Sequence, residues 1–364
     1  MDARVFEKYL RRSGTSTSLG ADFLRAVVIP ACDEAEELPR TLDSLDAARR
    51  RAPHPVAVIV VVNHPAGSSD AASLATLEIL EQRRAPWLFR LYAPDLKGGV
   101  GRARKLGMDA FVAAHDAETI DDTLLWSLDA DTRVEEEYFT TVEAGFAAHP
   151  WAGFCTVGFR HEPGATMAAE RAIREYEAYL RDYVENLRRA GSPYAFMSIG
   201  SAFAVRGSVY IRSGGMKERA AGEDFYFLQQ CAKCGEFFEL EAVLVHPSAR
   251  LSGRNAFGTG PALKKLLAGE DLNRISPSAC AALGKLLAAS RRPELAADAE
   301  KLMAAVPPGV REFLARERFG AAWTKILANT PRTPEARLRA FNCWFDGLRT
   351  LRLLHSLSGG ATGD

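Results

Sequence analysis

The sequence predicts an α/β protein with a mostly parallel, Rossmann-like sheet flanked by helices and a helical region at its C-terminal end. Three observations carry this prediction. Short apolar runs alternate with helical patterns through the first third of the chain, an order that favours βαβ units. Val56 to Val62 is continuously apolar and mainly β-branched, which is typical of a strand buried on both faces. After Gly260, leucines recur at helical spacing.

The first half of the chain alternates between predicted strands and predicted helices. The strands are expected at Arg25–Pro30, Val56–Val62, Trp87–Tyr92 and Thr123–Leu128. The helices between them are expected at Glu36–Arg51, Ala71–Gln82 and Gly99–Ala114. Right-handed crossovers bring the loops after such strands to one edge of the sheet, where α/β proteins bind ligands.

The second half combines helices with short strands. A helix is expected to begin near Glu223. The other predicted elements are a long helix, two strands and a final basic helix, at Ala165–Arg189, Ser201–Val205, Phe237–Val245 and Pro334–Leu357. We therefore divide the chain into four parts. An N-terminal segment (1–24) precedes an α/β domain (25–260), whose two halves are 25–131 and 132–260. A helical C-terminal region (261–357) and a flexible tail (358–364) follow.

Composition excludes several classes of protein. The 46 basic and 46 acidic residues give a net charge of zero, so the chain lacks the basic footprint of a nucleic-acid-binding protein. Six cysteines in 364 residues are too sparse for a disulfide scaffold. No apolar run approaches the ~20 residues of a membrane-spanning helix, and the N-terminus lacks the apolar core of a signal peptide. We therefore expect a soluble protein of the cytoplasm.

Two carboxylates follow the fourth predicted strand, in the segment Leu124-Leu-Trp-Ser-Leu-Asp129-Ala130-Asp131. Two acids one residue apart at the end of a buried strand repel each other unless a cation lies between them. Oxygen ligands of this kind select hard divalent ions such as Mg²⁺ or Mn²⁺, which substrate phosphates then complete. A solvated turn with two acids is the alternative interpretation.

A second acidic pair, Glu223 and Asp224, opens a predicted helix after Gly222. A carboxylate held at a helix start can act as a general base. The alternative is that both acids only cap the helix and offset its dipole.

A glycine-rich basic segment, Lys97-Gly98-Gly99-Val100-Gly101-Arg102-Ala103-Arg104, joins the third strand to the next helix. It is neither a P-loop nor a dinucleotide fingerprint, because the residues that those motifs require are missing. It does combine backbone N–H groups, a helix start and cations, which suits a ligand that carries phosphate. A solvated loop is the alternative.

Together these motifs resemble the family 2 glycosyltransferases. The segment Val27-Val-Ile-Pro-Ala-Cys-Asp-Glu34 is similar to that family's opening strand and its Pro-Ala/Thr-Tyr-Asn-Glu sequence. The glycine-rich basic segment, the Asp-x-Asp pair, a Gly-Gly-Met turn and Gly-Glu-Asp follow in the family's order, and the match covers Arg25 to Gly260. The resemblance implies the glycosyltransferase A fold and a nucleotide-diphospho-sugar donor. Because the Gln-x-x-Arg-Trp motif of processive synthases is absent, it implies a non-processive enzyme.

The resemblance also implies roles on the donor side. Arg104 would lie near the nucleotide and the Asp-x-Asp pair, and Asp129 would face the ribose or the sugar. Asn63 stands where the family has an acid that meets the base, so the nucleotide preference stays open. The other expected donor contacts are Pro30, Ala31 and Glu34 at the nucleoside, Lys97 and Gly98 at a phosphate, and Arg250 or Arg254 at the diphosphate.

On the reacting side, the resemblance implies that Asp131 holds a Mn²⁺ or Mg²⁺ ion beside Asp129. His246 matches a position where some enzymes of this fold place a third metal ligand, with a structural histidine as the alternative. Asp224 would accept the proton of an unknown acceptor hydroxyl in an inverting transfer, and Glu223 is the next candidate for the base.

Two rival functions remain. A sugar-nucleotide pyrophosphorylase shares the fold and the metal chemistry, but it needs a basic loop after the first strand, and here Ala31 to Glu37 is acidic. A non-catalytic sugar-nucleotide-binding protein would not need the intact acids of both motifs.

Two further features are ambiguous in the sequence. Tyr176, Tyr179 and Tyr183 form a helical stripe that suits either core packing or stacking on a sugar. The final basic helix suits either packing against the rest of the protein or a weak contact with an anionic membrane surface. The aromatic and basic residues of that helix are Trp344, Phe345, Arg337, Arg339, Arg349 and Arg352.

Overall fold

The computed structural model describes residues 1–65, 67–68, 70–251 and 258–359. One expected donor contact, Arg254, and most of the expected tail lie outside these residues. The strands are β1 (Arg25–Ala31), β2 (Val56–Pro65), β3 (Leu88–Leu96), β4 (Leu124–Ser127), β5 (Thr132–Val134), β6 (Ala152–Phe159), β7 (Phe203–Arg206) and β8 (Glu236–Pro247).

The helices account for much of the remaining described chain. Those of the first half are α1 (Ala3–Ser13), α2 (Leu38–Arg51), α3 (Ala71–Gln82), α4 (Gly99–Val112) and α5 (Tyr138–Ala148), with a 3₁₀ turn at Ile120–Asp122. Next come α6 (Met167–Arg189), α7 (Gly207–Arg212), α8 (Glu223–Cys234) and α9 (Thr259–Leu267). The last are α10 (Pro277–Ser290), α11 (Pro293–Ala296), α12 (Ala299–Ala304), α13 (Pro308–Arg316), α14 (Phe319–Ala328), α15 (Pro334–Trp344) and α16 (Gly347–Leu357).

All described strands belong to one sheet, in the order β3-β2-β1-β4-β7-β6-β8-β5. The α/β fold expected from the sequence is thus confirmed, and its first half is parallel from β3 to β4. The second half is mixed, because β7 runs antiparallel to β4 and β6, and β5 runs antiparallel to β8. Strands of three or four residues carry too little periodicity for their direction to be predicted.

The register of the parallel half determines where the candidate residues lie. Val28 of β1 pairs with Ile59 of β2 and with Ser127 of β4. These three strands therefore finish at the same edge of the sheet. Glu34 lies in the loop after β1, Asn63 lies near the end of β2, and Asp129 comes two residues after β4.

Two elements have signals that the sequence analysis missed. Helix α1 begins after Asp2, whose side chain accepts hydrogen bonds from the Arg4 and Val5 N–H groups, and it buries Tyr9. The final basic helix is two helices instead of one, since Asp346 accepts from the N–H of Arg349 and caps a second start. Strand β6 was not expected either.

The chain forms two compact units, and the domain boundaries proposed from the sequence remain a prediction. The first contains residues 1–174 and 198–268, and the second contains 175–197 and 269–364. In the second unit Trp344 and Phe345 lie in an apolar core with Trp323 and Phe341. This burial favours packing, not membrane contact, for the apolar side of α15. No helix among the described residues is long and apolar enough to span a bilayer.

Candidate functional site

Arg104 joins the two acidic motifs at the sheet edge. It lies on α4 and is 2% exposed. Its Nη2 donates to Asp129 Oδ1 at 2.5 Å, its Nε donates to Glu223 Oε1 at 2.9 Å, and its Nη1 donates to Ser127 Oγ at 2.6 Å. Burial alone would lower the pKa of Arg104, but the neighbouring carboxylates Asp129 and Glu223 outweigh it and hold the pKa above its usual range. A permanent cation therefore connects the end of β4 with the start of α8.

The two acids of the second pair, Glu223 and Asp224, have different partners. Glu223 is 4% exposed and is occupied by Arg104. Asp224 is half-buried, and its Oδ1 accepts the N–H of Phe225 at 2.8 Å. Burial, followed by the adjacent charge of Glu223, raises the pKa of Asp224 to about 7. A carboxylate with this pKa suits general-base catalysis near neutral pH.

The alternative in which both acids merely cap α8 is weakened by the geometry. The residue at the cap position is Gly222, with φ 70°, and no side chain caps the helix there. Glu223 accepts from an arginine of a different helix instead. Helix capping therefore does not account for Glu223, whereas Asp224 does accept an N–H of the first turn.

A second arginine lies against the other carboxylate of the Asp-x-Asp pair. Arg250 Nε is 2.7 Å from Asp131 Oδ2, and Arg250 Nη2 donates to Glu34 Oε1 at 2.5 Å. The carboxylates raise the pKa of Arg250 even though its burial acts to lower it. Each member of the Asp-x-Asp pair thus has its own arginine, and Glu34 belongs to the same group.

The residues at this edge fit a phosphate-completed divalent ion better than a three-ligand site. Asp129 and Asp131 offer the hard oxygen donors that Mg²⁺ and Mn²⁺ prefer, and such ions often take only one or two carboxylates from the protein. Among the described residues there is no group of three His, Cys, Asp or Glu side chains placed to hold a metal.

His246 does not join the two aspartates. Strand β8 extends to Pro247, so His246 lies within the strand instead of after it, opposite Arg133 of β5. Its Nε2 is 2.7 Å from Glu135 Oε1, and its Nδ1 is 3.1 Å from the Arg160 carbonyl oxygen. Both ring nitrogens therefore have partners other than the two aspartates, which favours the structural role for His246.

The glycine-rich segment is explained by close packing. A Cβ on Gly99 would meet Ala220, and a Cβ on Gly101 would overlap the carbonyl oxygen of Lys217. The Gly101 N–H also donates to the Arg219 carbonyl oxygen at 3.0 Å. These glycines let the start of α4 approach the chain just before Glu223. The first two residues of the segment, at positions 97 and 98, are exposed and precede the helix.

We expect Gly101→Ala to destabilise the protein by about 1–3 kcal/mol, the usual range for overpacking. The added methyl group cannot fit without moving the 217–219 backbone. Gly320→Ala is the matched control, because Gly320 is also helical and no atom lies within 4 Å of the place that a Cβ would occupy. It should instead stabilise the protein by up to ~1 kcal/mol. Urea unfolding measures both, and equal effects would contradict the packing role of Gly101.

The nucleoside end of the expected donor site contains buried polar groups. Pro30 and Ala31 are buried at the end of β1. Asn63 is 6% exposed, and its side-chain oxygen has no hydrogen-bond partner among the described atoms. His64 is also buried, and neither of its ring nitrogens has a partner among those atoms. Buried polar atoms are normally satisfied, so within the described part of the chain these two side chains keep hydrogen-bonding capacity at the strand end.

Three polar residues at or near this edge were not predicted from the sequence to belong to the site. Ser127 accepts from Arg104, His64 follows Asn63, and the hydroxyl of Ser201 is buried without a partner among the described atoms. Ser127 had a signal, since it is the polar residue in an otherwise apolar strand. His64 and Ser201 had none.

No family model matches the chain, and no curated protein matches it. Among solved structures, it is similar to the mannosyltransferase PcManGT from Pyrobaculum calidifontis in complex with GDP-Man and Mn²⁺, with 16% identity, a TM-score of 0.44, and coverage of 94% of this chain and 96% of that one. It is similar to S. aureus TarS 1-349 in complex with UDP, with 13% identity, a TM-score of 0.46, and coverage of 81% and 87%. It is also similar to mannosyl-3-phosphoglycerate synthase from Rubrobacter xylanophilus, with 15% identity, a TM-score of 0.42, and coverage of 72% and 82%.

Proposed function

We propose that the protein is a non-processive glycosyltransferase that moves a sugar from a nucleotide-diphospho-sugar to an acceptor hydroxyl. One observation carries the proposal. Arg104 donates hydrogen bonds to Asp129 at 2.5 Å and to Glu223 at 2.9 Å. The next residue is Asp224, whose carboxyl group has a pKa raised to about 7. The two acidic motifs therefore lie close together, which supports a base and a pair of hard-cation ligands at one sheet edge.

In the proposed reaction, Asp224 accepts the proton of the acceptor hydroxyl. The hydroxyl oxygen forms a bond to the anomeric carbon as the bond from that carbon to the diphosphate breaks. The nucleoside diphosphate leaves from the opposite face, so the configuration inverts. Holding both substrates at one edge makes the attack effectively unimolecular.

The leaving diphosphate needs positive charge around it. Asp129 and Asp131 would hold a Mn²⁺ or Mg²⁺ ion, which offsets the negative charge that develops on the leaving group. Arg250 lies 2.7 Å from Asp131, and we propose that it contacts the diphosphate, together with Lys97, Gly98 and, outside the described residues, Arg254.

The nucleoside would lie at the ends of β1 and β2. Its proposed contacts are Pro30, Ala31, Glu34 and Asn63. The side-chain oxygen of Asn63 has no partner among the described residues, which supports a hydrogen bond to a base edge. A cytoplasmic location, expected from the sequence, remains a prediction.

Incubation with UDP-, GDP- and dTDP-sugars and Mn²⁺ tests the proposal. A transferase without its acceptor hydrolyses its donor slowly, releasing free sugar and nucleoside diphosphate. Exchange that depends on pyrophosphate would support a pyrophosphorylase instead. Binding of a nucleotide sugar without turnover, in the presence of candidate acceptors, would support the non-catalytic rival.

We expect Asp131→Ala to lose the Mn²⁺-dependent part of the thermal shift that a nucleotide sugar produces. Ligand binding to the native state raises stability by mass action, about 2.7 kcal/mol at 100 times the Kd, so the loss is measurable. Asp22→Ala, which removes an exposed carboxylate of the same unit, should keep the shift.

The same assay tests His246. Because both of its ring nitrogens are engaged elsewhere, His246→Ala should retain the Mn²⁺ dependence. A full Mn²⁺-dependent shift in Asp131→Ala would contradict the metal assignment. Loss of the Mn²⁺-dependent shift in His246→Ala would instead identify His246 as a third metal ligand.

A further inference from the structure

The second compact unit contains a cavity of about 200 Å³ that none of the proposed donor, metal or base residues lines. It lies between the last three turns of α6 and the residues before α10. Tyr179, Tyr183 and Ile275 are among its lining residues, and Tyr183 and Ile275 also pack against the apolar core of this unit. The remaining lining is polar and belongs to both segments.

The charged groups of the lining are already balanced. Arg274 Nη1 donates to Asp182 Oδ2 at 3.2 Å, and Arg189 Nε donates to Glu185 Oε1 at 3.0 Å. A free anion would compete with these carboxylates for the two guanidinium groups. A cation would compete with the guanidinium groups for the two carboxylates. The lining therefore favours a neutral ligand.

The uncharged groups of the lining define the kind of neutral ligand. Burial raises the pKa of Tyr179 and of Tyr183, so both phenols stay neutral and can donate and accept hydrogen bonds. The Asn186 amide also offers a donor and an acceptor. A sugar matches this lining, because each of its hydroxyls both donates and accepts while its C–H face is apolar and packs against aromatic rings.

We propose that this cavity binds one unit of a neutral carbohydrate, with its C–H face against Tyr179 and its hydroxyls on Asn186 and the two ion pairs. The volume is below the roughly 300–1,000 Å³ of pockets for drug-sized ligands, which suits a single sugar ring. The site goes beyond the proposed transfer reaction, since it needs neither nucleotide nor metal.

Saturation-transfer NMR with the methyl glycosides of glucose, mannose and galactose tests the site on the full chain, without donor or metal. At least one glycoside should bind with millimolar affinity. Tyr179→Ala and Asn186→Ala should each weaken that binding by about tenfold or more, the equivalent of ~1.4 kcal/mol. Two variants are used so that misfolding of one, detected by circular dichroism, does not decide the result.

The control is Arg181→Ala. Arg181 is an exposed arginine of the same helix that pairs with Glu177 at 3.1 Å, and neither residue lines the cavity, so glycoside binding should persist. The proposal is overturned if no glycoside binds, or if inorganic phosphate binds and the glycosides do not. It is also overturned if Tyr179→Ala retains binding while Asn63→Ala loses it, since the sugar then lies at the sheet edge. None of these outcomes depends on whether the protein transfers sugar.

Discussion

Asp224→Asn is expected to slow sugar transfer by about 10²–10⁴-fold, the usual contribution of a general base. Asparagine keeps the size of the side chain and its hydrogen bond with the Phe225 N–H, but it cannot accept the acceptor's proton at neutral pH. Donor affinity should change little, because the proposed donor contacts lie on other residues. A loss confined to the rate identifies a group that acts in the transition state. Near-normal turnover would remove Asp224 as the base.

The dependence of the rate on pH tests the same residue. The base must be ionised to accept a proton, and its pKa is raised to about 7. The rate should therefore fall as the pH drops through about 7. Glu223→Gln removes the adjacent negative charge that helps to raise this pKa, so the acid limb should move to lower pH. An acid limb that does not move would show that the titrating group is not the neighbour of Glu223.

The raised pKa also predicts how stability depends on pH. Between about pH 4 and pH 7 the folded protein keeps a proton on Asp224 that the unfolded chain has released. This contribution to stability is complete below the unfolded pKa and is lost as the pH rises through about 7. Asp224→Asn stays neutral throughout, so its stability should rise relative to the wild type over this interval. Urea unfolding at several pH values measures the difference.

Arg104→Met is expected to destabilise the protein by about 3–5 kcal/mol, because it removes one partner of a buried ionic group. The Glu223 side chain is 5% exposed and would be left as a buried carboxylate without its arginine. The Ser127 hydroxyl would lose its donor at the same time. Methionine fills a similar length of space, so the effect reports the charge and not a large cavity.

The matched control for this substitution is Arg102→Met on the same helix. Arg102 is paired with Glu218 at 2.7 Å, but both side chains are substantially exposed, at 31% and 47%. Exposed pairs contribute about 0–1 kcal/mol, so this variant should unfold close to the wild type. Urea unfolding compares the two. If both variants lost the same free energy of unfolding, burial of Arg104 would not explain its contribution to stability.

The sequence alone was sufficient to predict the main strands and the positions of the two acidic motifs. Strand β2 is encoded by a continuous apolar run, and all of Val56–Val62 is buried as expected. The acids Asp129 and Asp131 follow β4, and Glu223 and Asp224 open α8, as their local patterns predict. Periodicity and capping depend on residues a few positions apart, so one sequence is sufficient to detect them.

Only the tertiary structure decided which of these groups meet. Arg104 is separated from Asp129 by 25 residues and from Glu223 by 119, and Arg250 is separated from Glu34 by 216. Whether Gly101 packs against a loop or cradles a ligand, whether β7 runs against β4, and whether His246 reaches Asp131 or Glu135 are also long-range outcomes. Such pairings arise from the packing of helices on the sheet and from the need to pair buried charges, and no local pattern records them.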